Sequence, residues 1–130
     1  MSKPPVRVLV AEDELFIRLL LVEALEEAGY DILKAKDGLE ALQLIEHPDG
    51  VELVVSDINM PGASGLEVVR HLRQIHPDIP VILVSGRHEQ LGGPPVPNPL
   101  RRFPKPFRLA DVVKAVQEML AERDEGDRGL

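Results

Sequence analysis

Short apolar runs alternate along this chain with longer segments in which apolar residues return every three or four positions. The runs have the length and composition of buried strands, whereas the longer segments have the period of helices that bury one face. Strands are predicted near residues 6–11, 32–35, 51–56, 81–84 and 100–103, and helices over 15–28, 39–45, 64–75 and 109–120. This alternation predicts an α/β fold with a five-stranded parallel sheet, doubly wound so that helices cover both faces.

Two helix boundaries carry local signals. Gly29 follows the first helical segment, at a position where a left-handed C-terminal cap favours glycine. Ser64 and Glu67 lie three residues apart, which matches a capping box that opens the third helix. Both signals agree with the boundaries that the apolar pattern predicts.

The first helix is unusually rich in apolar residues. Those at helical spacing are predicted to face the core, and they are Leu15, Leu19, Val22 and Leu25. Four more make the helix apolar over most of its circumference, and they are Phe16, Ile17, Leu20 and Leu21. Core packing is the default interpretation of such a helix, and a surface for a partner or for a second copy of the chain is the alternative.

The length of 130 residues is that of one domain, long enough to bury roughly two-thirds of its unfolded surface. We place an N-terminal tail at residues 1–5, the domain at 6–121 and a frayed polar tail at 122–130. Six of the 12 prolines fall within residues 94–106, behind Gly92 and Gly93. Because proline fixes φ and removes a hydrogen-bond donor, no regular helix is predicted between the fourth and fifth strands.

The charge balance narrows the classes of partner. The chain has 15 Lys and Arg against 22 Asp and Glu, a net charge of −7, so we expect no direct nucleic-acid partner and no anionic membrane partner. Without cysteine it has no disulfide scaffold, zinc–thiolate cluster or thiol nucleophile. No signal sequence or membrane-spanning run is evident, which predicts a cytoplasmic protein.

Polar residues follow the predicted strands at the places where chemistry is expected. Glu12, Asp13 and Glu14 follow the first strand, Asp57 the third, Ser85 the fourth, and Lys105 lies near the fifth. Ligands of such sheets bind at the carboxyl ends of the strands, so these side chains are expected to converge. Converging carboxylates repel one another unless a hard cation takes their oxygens, and Mg²⁺ fits a set without histidine or cysteine.

The same constellation has the parts for phosphoryl transfer to a carboxylate. Asp57 is the candidate nucleophile, Lys105 and a metal ion would neutralise the phosphoryl oxygens, and the Ser85 hydroxyl would donate to one of them. Each residue also has a plainer interpretation: a strand-end turn for Asp57 and Ser85, and a surface charge for Lys105. Glu14 is interpreted as an acid that complements the helix dipole.

Four segments together carry a family resemblance. Residues 8–14, 57–65, 84–86 and 105–107, with the sequences VLVAEDE, DINMPGASG, VSG and KPF, resemble the receiver domain of response regulators in two-component and phosphorelay signalling. The resemblance covers about residues 6–121 and implies the flavodoxin-like (βα)5 fold. It also implies a cis bond between Lys105 and Pro106, which proline makes inexpensive.

The resemblance assigns roles residue by residue. It makes Asp57 the phosphoacceptor, Asp13 a direct ligand of Mg²⁺, and Glu12 a ligand through water. The backbone carbonyl of Asn59 would add a further ligand. Ser85 takes the position of the family's switch hydroxyl, and Lys105 that of the phosphate-pairing lysine.

The implied function is a signalling switch. It would take a phosphoryl group from a sensor histidine kinase or a histidine phosphotransfer protein, and then either dock on a downstream protein target or pass the phosphoryl group along a relay. It would catalyse only its own phosphorylation and slow autodephosphorylation. The first helix and its neighbours are where such donors dock in this family. Because little chain follows the last helix, we expect a stand-alone receiver or one excised from a longer protein, with a homodimer as an alternative to a monomer.

The chain departs from the family pattern in one region. Arg102 stands where the family has an aromatic residue, and the proline-rich stretch predicts a shortened or missing fourth helix with a mobile loop in its place.

Two other functions stay open. One alternative is an aspartate-nucleophile phosphatase of the haloacid-dehalogenase kind, although Asn59 stands where such enzymes have their general acid. The other is a pseudo-receiver that binds partners without being phosphorylated.

Overall fold

The computed structural model describes residues 5–46, 50–87 and 99–128, and it places a five-stranded parallel sheet at the centre. The strand order is β2-β1-β3-β4-β5. The strands are β1 (Arg7–Ala11), β2 (Asp31–Ala35), β3 (Leu53–Asp57), β4 (Val81–Ser85) and β5 (Leu100–Pro104). The helices are α1 (Leu15–Glu27), α2 (Gly38–Ile45), α3 (Gly65–Ile75) and α4 (Leu109–Arg128). The predicted doubly wound α/β fold is confirmed.

Alternate residues of the strands supply two apolar cores, one on each face of the sheet. In β1, Leu9 and Ala11 belong to the core under α2 and α3, whereas Val8 and Val10 belong to the core under α1 and α4. Every residue of β3 and of β4 is buried. Strands that are covered on both faces are mainly apolar in sequence, so strands of this kind are readily predicted.

The chain reverses its direction of travel across the sheet at β1, which pairs with β2 on one side and β3 on the other. The register pairs Ala11 with Ser56, so the residues that follow β1 lie beside Asp57 at the end of β3. Asp57 in turn pairs with Val84 of β4. The crevice at this switch point is therefore formed by the ends of β1, β3 and β4.

Side-chain caps and one glycine mark the helix boundaries. The Ser64 hydroxyl accepts a hydrogen bond from the Glu67 N–H at 3.2 Å, as the capping pattern predicts. Asp37 caps α2 in the same way, accepting from the Glu40 N–H at 2.8 Å. Gly29 has φ of +100°, so glycine is favoured where α1 turns toward β2.

The predicted inward stripe of α1 is partly wrong. Val22 and Leu25 are buried as predicted, but Leu15 and Leu19 are 58% and 50% exposed, and the helix buries Leu21 in their place. Since apolar residues surround most of the helix, their spacing alone does not fix its rotation. Packing against the sheet and α4 selects the face. None of the helices in the described part of the chain has the length and apolar composition needed to cross a membrane.

The last helix is longer than predicted. It continues through Arg128, so residues 122–128 are helical where a frayed polar tail was expected. Arg101 of β5 pairs with Glu118 at 2.9 Å and Glu122 at 3.1 Å, and Arg123 donates to the Glu52 carbonyl at 3.3 Å. These polar contacts attach the extra turns to the domain without an apolar stripe.

The predicted loss of the fourth family helix concerns residues 88–98, which lie outside the described residues. The described part contains four helices, and the prediction for this segment stays a prediction. Around the gap, β4 and β5 pair in parallel, with Leu83 opposite Arg102 and Val84 opposite Phe103. Phe103 packs against the core under α1 and α4, so the neighbouring Arg102 lies on the opposite face of the sheet.

Gly38→Ala is expected to lower the free energy of unfolding by about 1–3 kcal/mol, because a Cβ there would lie 1.8 Å from the Ala63 carbonyl oxygen. Gly86→Ala is the matched control, since its Cβ would meet no atom within 4 Å. The control should stay within about 0.5 kcal/mol of the unchanged chain. Urea unfolding monitored by circular dichroism measures both, and equal stabilities would contradict this close approach.

Candidate functional site

Three carboxylates converge at the carboxyl edge of the sheet. Oxygens of Glu12, Asp13 and Asp57 lie within 4.8 Å of one another. Glu12 and Asp57 are buried, at 0% and 4% exposure, whereas Asp13 is exposed. The sequence-based prediction that these acids meet at one crevice agrees with this geometry.

Glu12 is held from several sides. Its N–H donates to the Ala35 carbonyl at 3.0 Å, and its carboxylate Oε2 accepts from the Glu14 N–H at 3.2 Å. Its carbonyl oxygen accepts from Arg18 Nη1 at 2.7 Å. Arg18 is not among the residues predicted for this site, because the apolar period of the first helix does not mark a polar residue that bonds back to a strand end.

Lys105 connects the two buried acids. Its Nζ lies 2.8 Å from Asp57 Oδ2 and 2.8 Å from Glu12 Oε1. Its backbone N–H donates to the Ser85 carbonyl at 2.8 Å, which extends the contact between β4 and β5 beyond the strands. The Lys105–Pro106 bond is cis, as the resemblance implied.

Asp57 has both carboxylate oxygens in polar contacts. Oδ1 accepts from the Asn59 N–H at 3.1 Å, and Oδ2 accepts from Lys105. Gly65, at the start of α3, lies so close behind that a Cβ there would come within 2.3 Å of the Asp57 carbonyl oxygen. Glycine at this position therefore lets α3 begin directly against the strand that carries the carboxylate.

Ser85 lies at the end of the neighbouring strand, with its hydroxyl bonded to its own turn. The oxygen accepts from the Arg87 N–H at 3.0 Å, and the hydroxyl donates to the Arg87 carbonyl at 3.3 Å. The structure thus brings Glu12, Asp13, Asp57 and Lys105 together, with Ser85 one strand away.

The titration of the site reflects its burial. Burial raises the pKa of Glu12 from 4.5 to about 7; the bond from Lys105 opposes this rise and the charge of Asp57 adds to it. For Lys105, burial acts to lower the pKa, but its close contacts with the carboxylates of Asp57 and Glu12 outweigh it, so its pKa is raised. The ammonium therefore stays charged at neutral pH.

The donor set fits a hard divalent cation. All three groups are carboxylates, which suits Mg²⁺, an ion that takes one or two acidic ligands and keeps several waters. Glu12 Oε1 forms an ion pair with Lys105 whose geometry falls short of a hydrogen bond, and within the described residues no other partner satisfies it. A buried oxygen with this spare acceptor capacity is available to a metal ion or to its water.

Comparison with known proteins identifies the family. The profile of the response regulator receiver domain matches residues 8–92. The chain belongs to the response regulator receiver family. Receiver domains act as switches in two-component and phosphorelay signalling, and the fold described above is that of such a domain.

Relatives of this receiver domain include proteins of different lengths. It is 41% identical over 120 residues to the sensor kinase CckA of Brucella abortus, covering 90% of this chain but only 13% of that kinase. It is 33% identical to the response regulator receiver protein CpdR of the same organism, covering 88% of this chain and 96% of CpdR. It is 31% identical to sporulation initiation phosphotransferase F of Bacillus subtilis, covering 88% of this chain and 93% of that protein.

Solved structures agree with this assignment. A response regulator receiver protein from Sinorhizobium medicae superposes with a TM-score of 0.86 at 27% identity, covering 94% of this chain and 99% of that one. The receiver domain of the hybrid histidine kinase CckA superposes with a TM-score of 0.75 at 30% identity, covering 88% and 98%.

Without a metal ion, the free energy of unfolding is expected to fall as the pH rises from 4.5 toward 8. Because the folded-state pKa of Glu12 is about 7 and its ordinary value 4.5, the folded state binds more protons than the unfolded state within this window. Glu12→Gln should remove roughly 1–3 kcal/mol of that fall.

Urea unfolding of both chains at several pH values measures this difference. Parallel curves for Glu12→Gln and the unchanged chain would contradict a raised pKa. Added Mg²⁺ should stabilise the unchanged chain more at pH 8 than at pH 5, because metal ligands must lose their protons to bind.

Proposed function

We propose that this receiver domain accepts a phosphoryl group on Asp57, in a reaction that requires Mg²⁺, from a histidine kinase or a histidine phosphotransfer protein. The phosphorylated form then changes which downstream protein the domain binds. The observation that carries the proposal is the position of the Asp57 carboxylate, held 2.8 Å from the Lys105 ammonium and beside Glu12 and Asp13. This arrangement presents a nucleophile and the charges that transfer needs at one crevice.

In the proposed transfer, a carboxylate oxygen of Asp57 forms a bond to phosphorus while the bond from phosphorus to the donor histidine nitrogen breaks. The nitrogen keeps the electron pair and takes up a proton. Lys105 already touches Asp57 Oδ2, so its ammonium needs little movement to pair with a phosphoryl oxygen. The Ser85 hydroxyl must leave the Arg87 carbonyl before it can donate to that group.

Asp13, Asp57 and Glu12 would hold the magnesium ion, with the Asn59 carbonyl as a further proposed ligand. The bound ion would neutralise charge on the phosphoryl oxygens and orient them. Glu12 is buried and already accepts a hydrogen bond, which favours contact through a water. Asp13 is exposed, which leaves its carboxylate accessible to an incoming ion.

The names of relatives support a phosphorelay donor. One is a sensor kinase, and another is a phosphotransferase. The phosphatase alternative gains no support, because the side chain of Asn59 is an amide and cannot act as a general acid. Whether the chain is a pseudo-receiver depends on whether Asp57 reacts.

Helix α1 offers the surface on which the donor would dock. Four apolar side chains on two successive turns are 36–68% exposed, and they are Leu15, Phe16, Leu19 and Leu20. A groove of about 340 Å³ flanks this surface, lined by Ile17, Leu20, Lys105, Pro106, Phe107 and Leu109. Because Lys105 reaches from the groove to Asp57, a helix seated there would bring its histidine to the carboxylate.

Incubation with acetyl phosphate or phosphoramidate and Mg²⁺ is expected to add one phosphoryl group to the chain, detected by intact mass spectrometry. Asp57→Asn should abolish the adduct because the amide is not a nucleophile at this step. Asp124→Asn, a change of the same type on α4, should leave it unchanged. An adduct that persists in Asp57→Asn would assign the wrong acceptor. No adduct with either donor or with a phosphorylated histidine phosphotransfer protein would favour the pseudo-receiver.

Phe16→Ala is expected to lower the second-order rate of transfer from a phosphorylated histidine phosphotransfer protein by about 10-fold, the loss typical of a central apolar contact. Its rate with acetyl phosphate should not change, since a small donor needs no docking surface. Leu39→Ala is the matched control, because Leu39 is 57% exposed on α2. Equal effects of the two substitutions would contradict docking on α1. If the unchanged chain sediments as a dimer that forms through α1, that surface is assigned to a second copy instead.

A further inference from the structure

Arg18 forms a contact with the site that the proposed mechanism does not use. It lies half-buried on α1, and its Nη1 donates to the Glu12 carbonyl oxygen at 2.7 Å. That carbonyl lies just beyond the end of β1, where the chain leaves the sheet. The guanidinium therefore supports the backbone at the point where the ladder of strand hydrogen bonds ends.

The restrained carbonyl belongs to the peptide that joins Glu12 to Asp13. A peptide is planar, so fixing its oxygen also fixes the plane from which the next residue continues. The N–H of Glu12 is bonded to the Ala35 carbonyl and its carboxylate accepts from the Glu14 N–H, so the bond from Arg18 is a third restraint on this residue. By limiting rotation of the peptide plane, Arg18 restricts the directions in which the backbone of Asp13 can continue.

We propose that Arg18 is a positioning residue for magnesium, which holds the Glu12–Asp13 peptide so that both carboxylates face the same ion. The inference rests on the proposed function only in that the ion is Mg²⁺ and that these acids hold it. Arg18 itself touches neither the ion nor the phosphoryl group. Residues that orient metal ligands in this way usually change metal affinity about 10- to 100-fold when they are replaced.

The positive charge of Arg18 acts on Mg²⁺ binding in the direction opposite to positioning, so the direction of the change in affinity distinguishes the two roles. A guanidinium near the site repels a divalent cation, so removing it should tighten Mg²⁺ binding through the field alone. For a half-exposed charge in water at moderate salt this gain is small, roughly two-fold. Positioning predicts weaker binding on removal, whereas a purely electrostatic role predicts tighter binding.

The test is isothermal titration of the full chain with MgCl₂, without any phosphodonor. Arg18→Ala is expected to raise the Mg²⁺ dissociation constant by about 10-fold. Arg18→Lys keeps a donor on a long stem and should recover most of that loss. Arg70→Ala, on the exposed surface of α3, changes the net charge by the same amount and should leave the dissociation constant within about two-fold.

A second readout separates positioning from general damage. In acetyl phosphate reactions, Arg18→Ala should raise the Mg²⁺ concentration that gives half the maximal rate, while the maximal rate at saturating Mg²⁺ stays near that of the unchanged chain. A loss that is confined to the maximal rate, or to the free energy of unfolding, would overturn the proposal. If Arg18→Ala does not fold, Arg18→Met keeps the stem and removes the donors, and it takes its place.

The outcomes distinguish this inference from the proposed function. Unchanged or tighter Mg²⁺ binding by Arg18→Ala would show that the inference is wrong and would leave Asp57 as the phosphoacceptor. If the unchanged chain binds Mg²⁺ but Asp57 is never phosphorylated, the proposed function fails and the role of Arg18 is still decided by the titration. If the unchanged chain binds no Mg²⁺, both the metal site and the role of Arg18 are wrong.

Discussion

The ammonium of Lys105 makes the arrangement of this site physically tolerable. Two buried carboxylates at one sheet edge repel each other, and the ammonium lies 2.8 Å from an oxygen of each. Its own charge is maintained by the same two contacts, which raise its pKa against the effect of burial. The site without metal is thus partly neutralised by one lysine and by the proton that Glu12 tends to retain. A divalent cation would take over both tasks, and in the proposed transfer Lys105 would then be free to pair with a phosphoryl group on Asp57.

Much of this arrangement follows from the sequence through a single topological fact. In a parallel sheet the residues after each strand meet at one edge, so Glu12, Asp13, Asp57 and Lys105 could be predicted to converge without any coordinate. The pattern is strongest for β4, because a strand covered on both faces is mainly apolar and its first four residues are all apolar. Family motifs then supplied individual roles that the spacing alone left open.

Other features depend on tertiary packing and could not be predicted from local pattern. The rotation of α1 was ambiguous because nearly every direction around the helix is apolar, and only its packing on the sheet exposes Leu15 and Leu19. The contact of Arg18 with Glu12 joins a helix to a strand end, and no periodicity signals such a contact. The extension of α4 depends on Arg101, which is distant in sequence from the acids it pairs with. The exposed apolar face of α1 contributes little to the core, so its composition is better explained by binding than by stability.

α4 is long enough to reach from one edge of the sheet to the other. A helix of 20 residues extends about 30 Å, comparable to the diameter of a small domain. Its first residue, Leu109, lines the groove beside Lys105, and Arg123 near its other end contacts the backbone of Glu52, just before β3 begins. α4 therefore lies along the sheet. One end is beside the edge that carries Asp57, and the other is at the opposite edge. A partner that binds the C-terminal part of α4 would therefore contact the same helix whose first residue lines the groove beside Lys105.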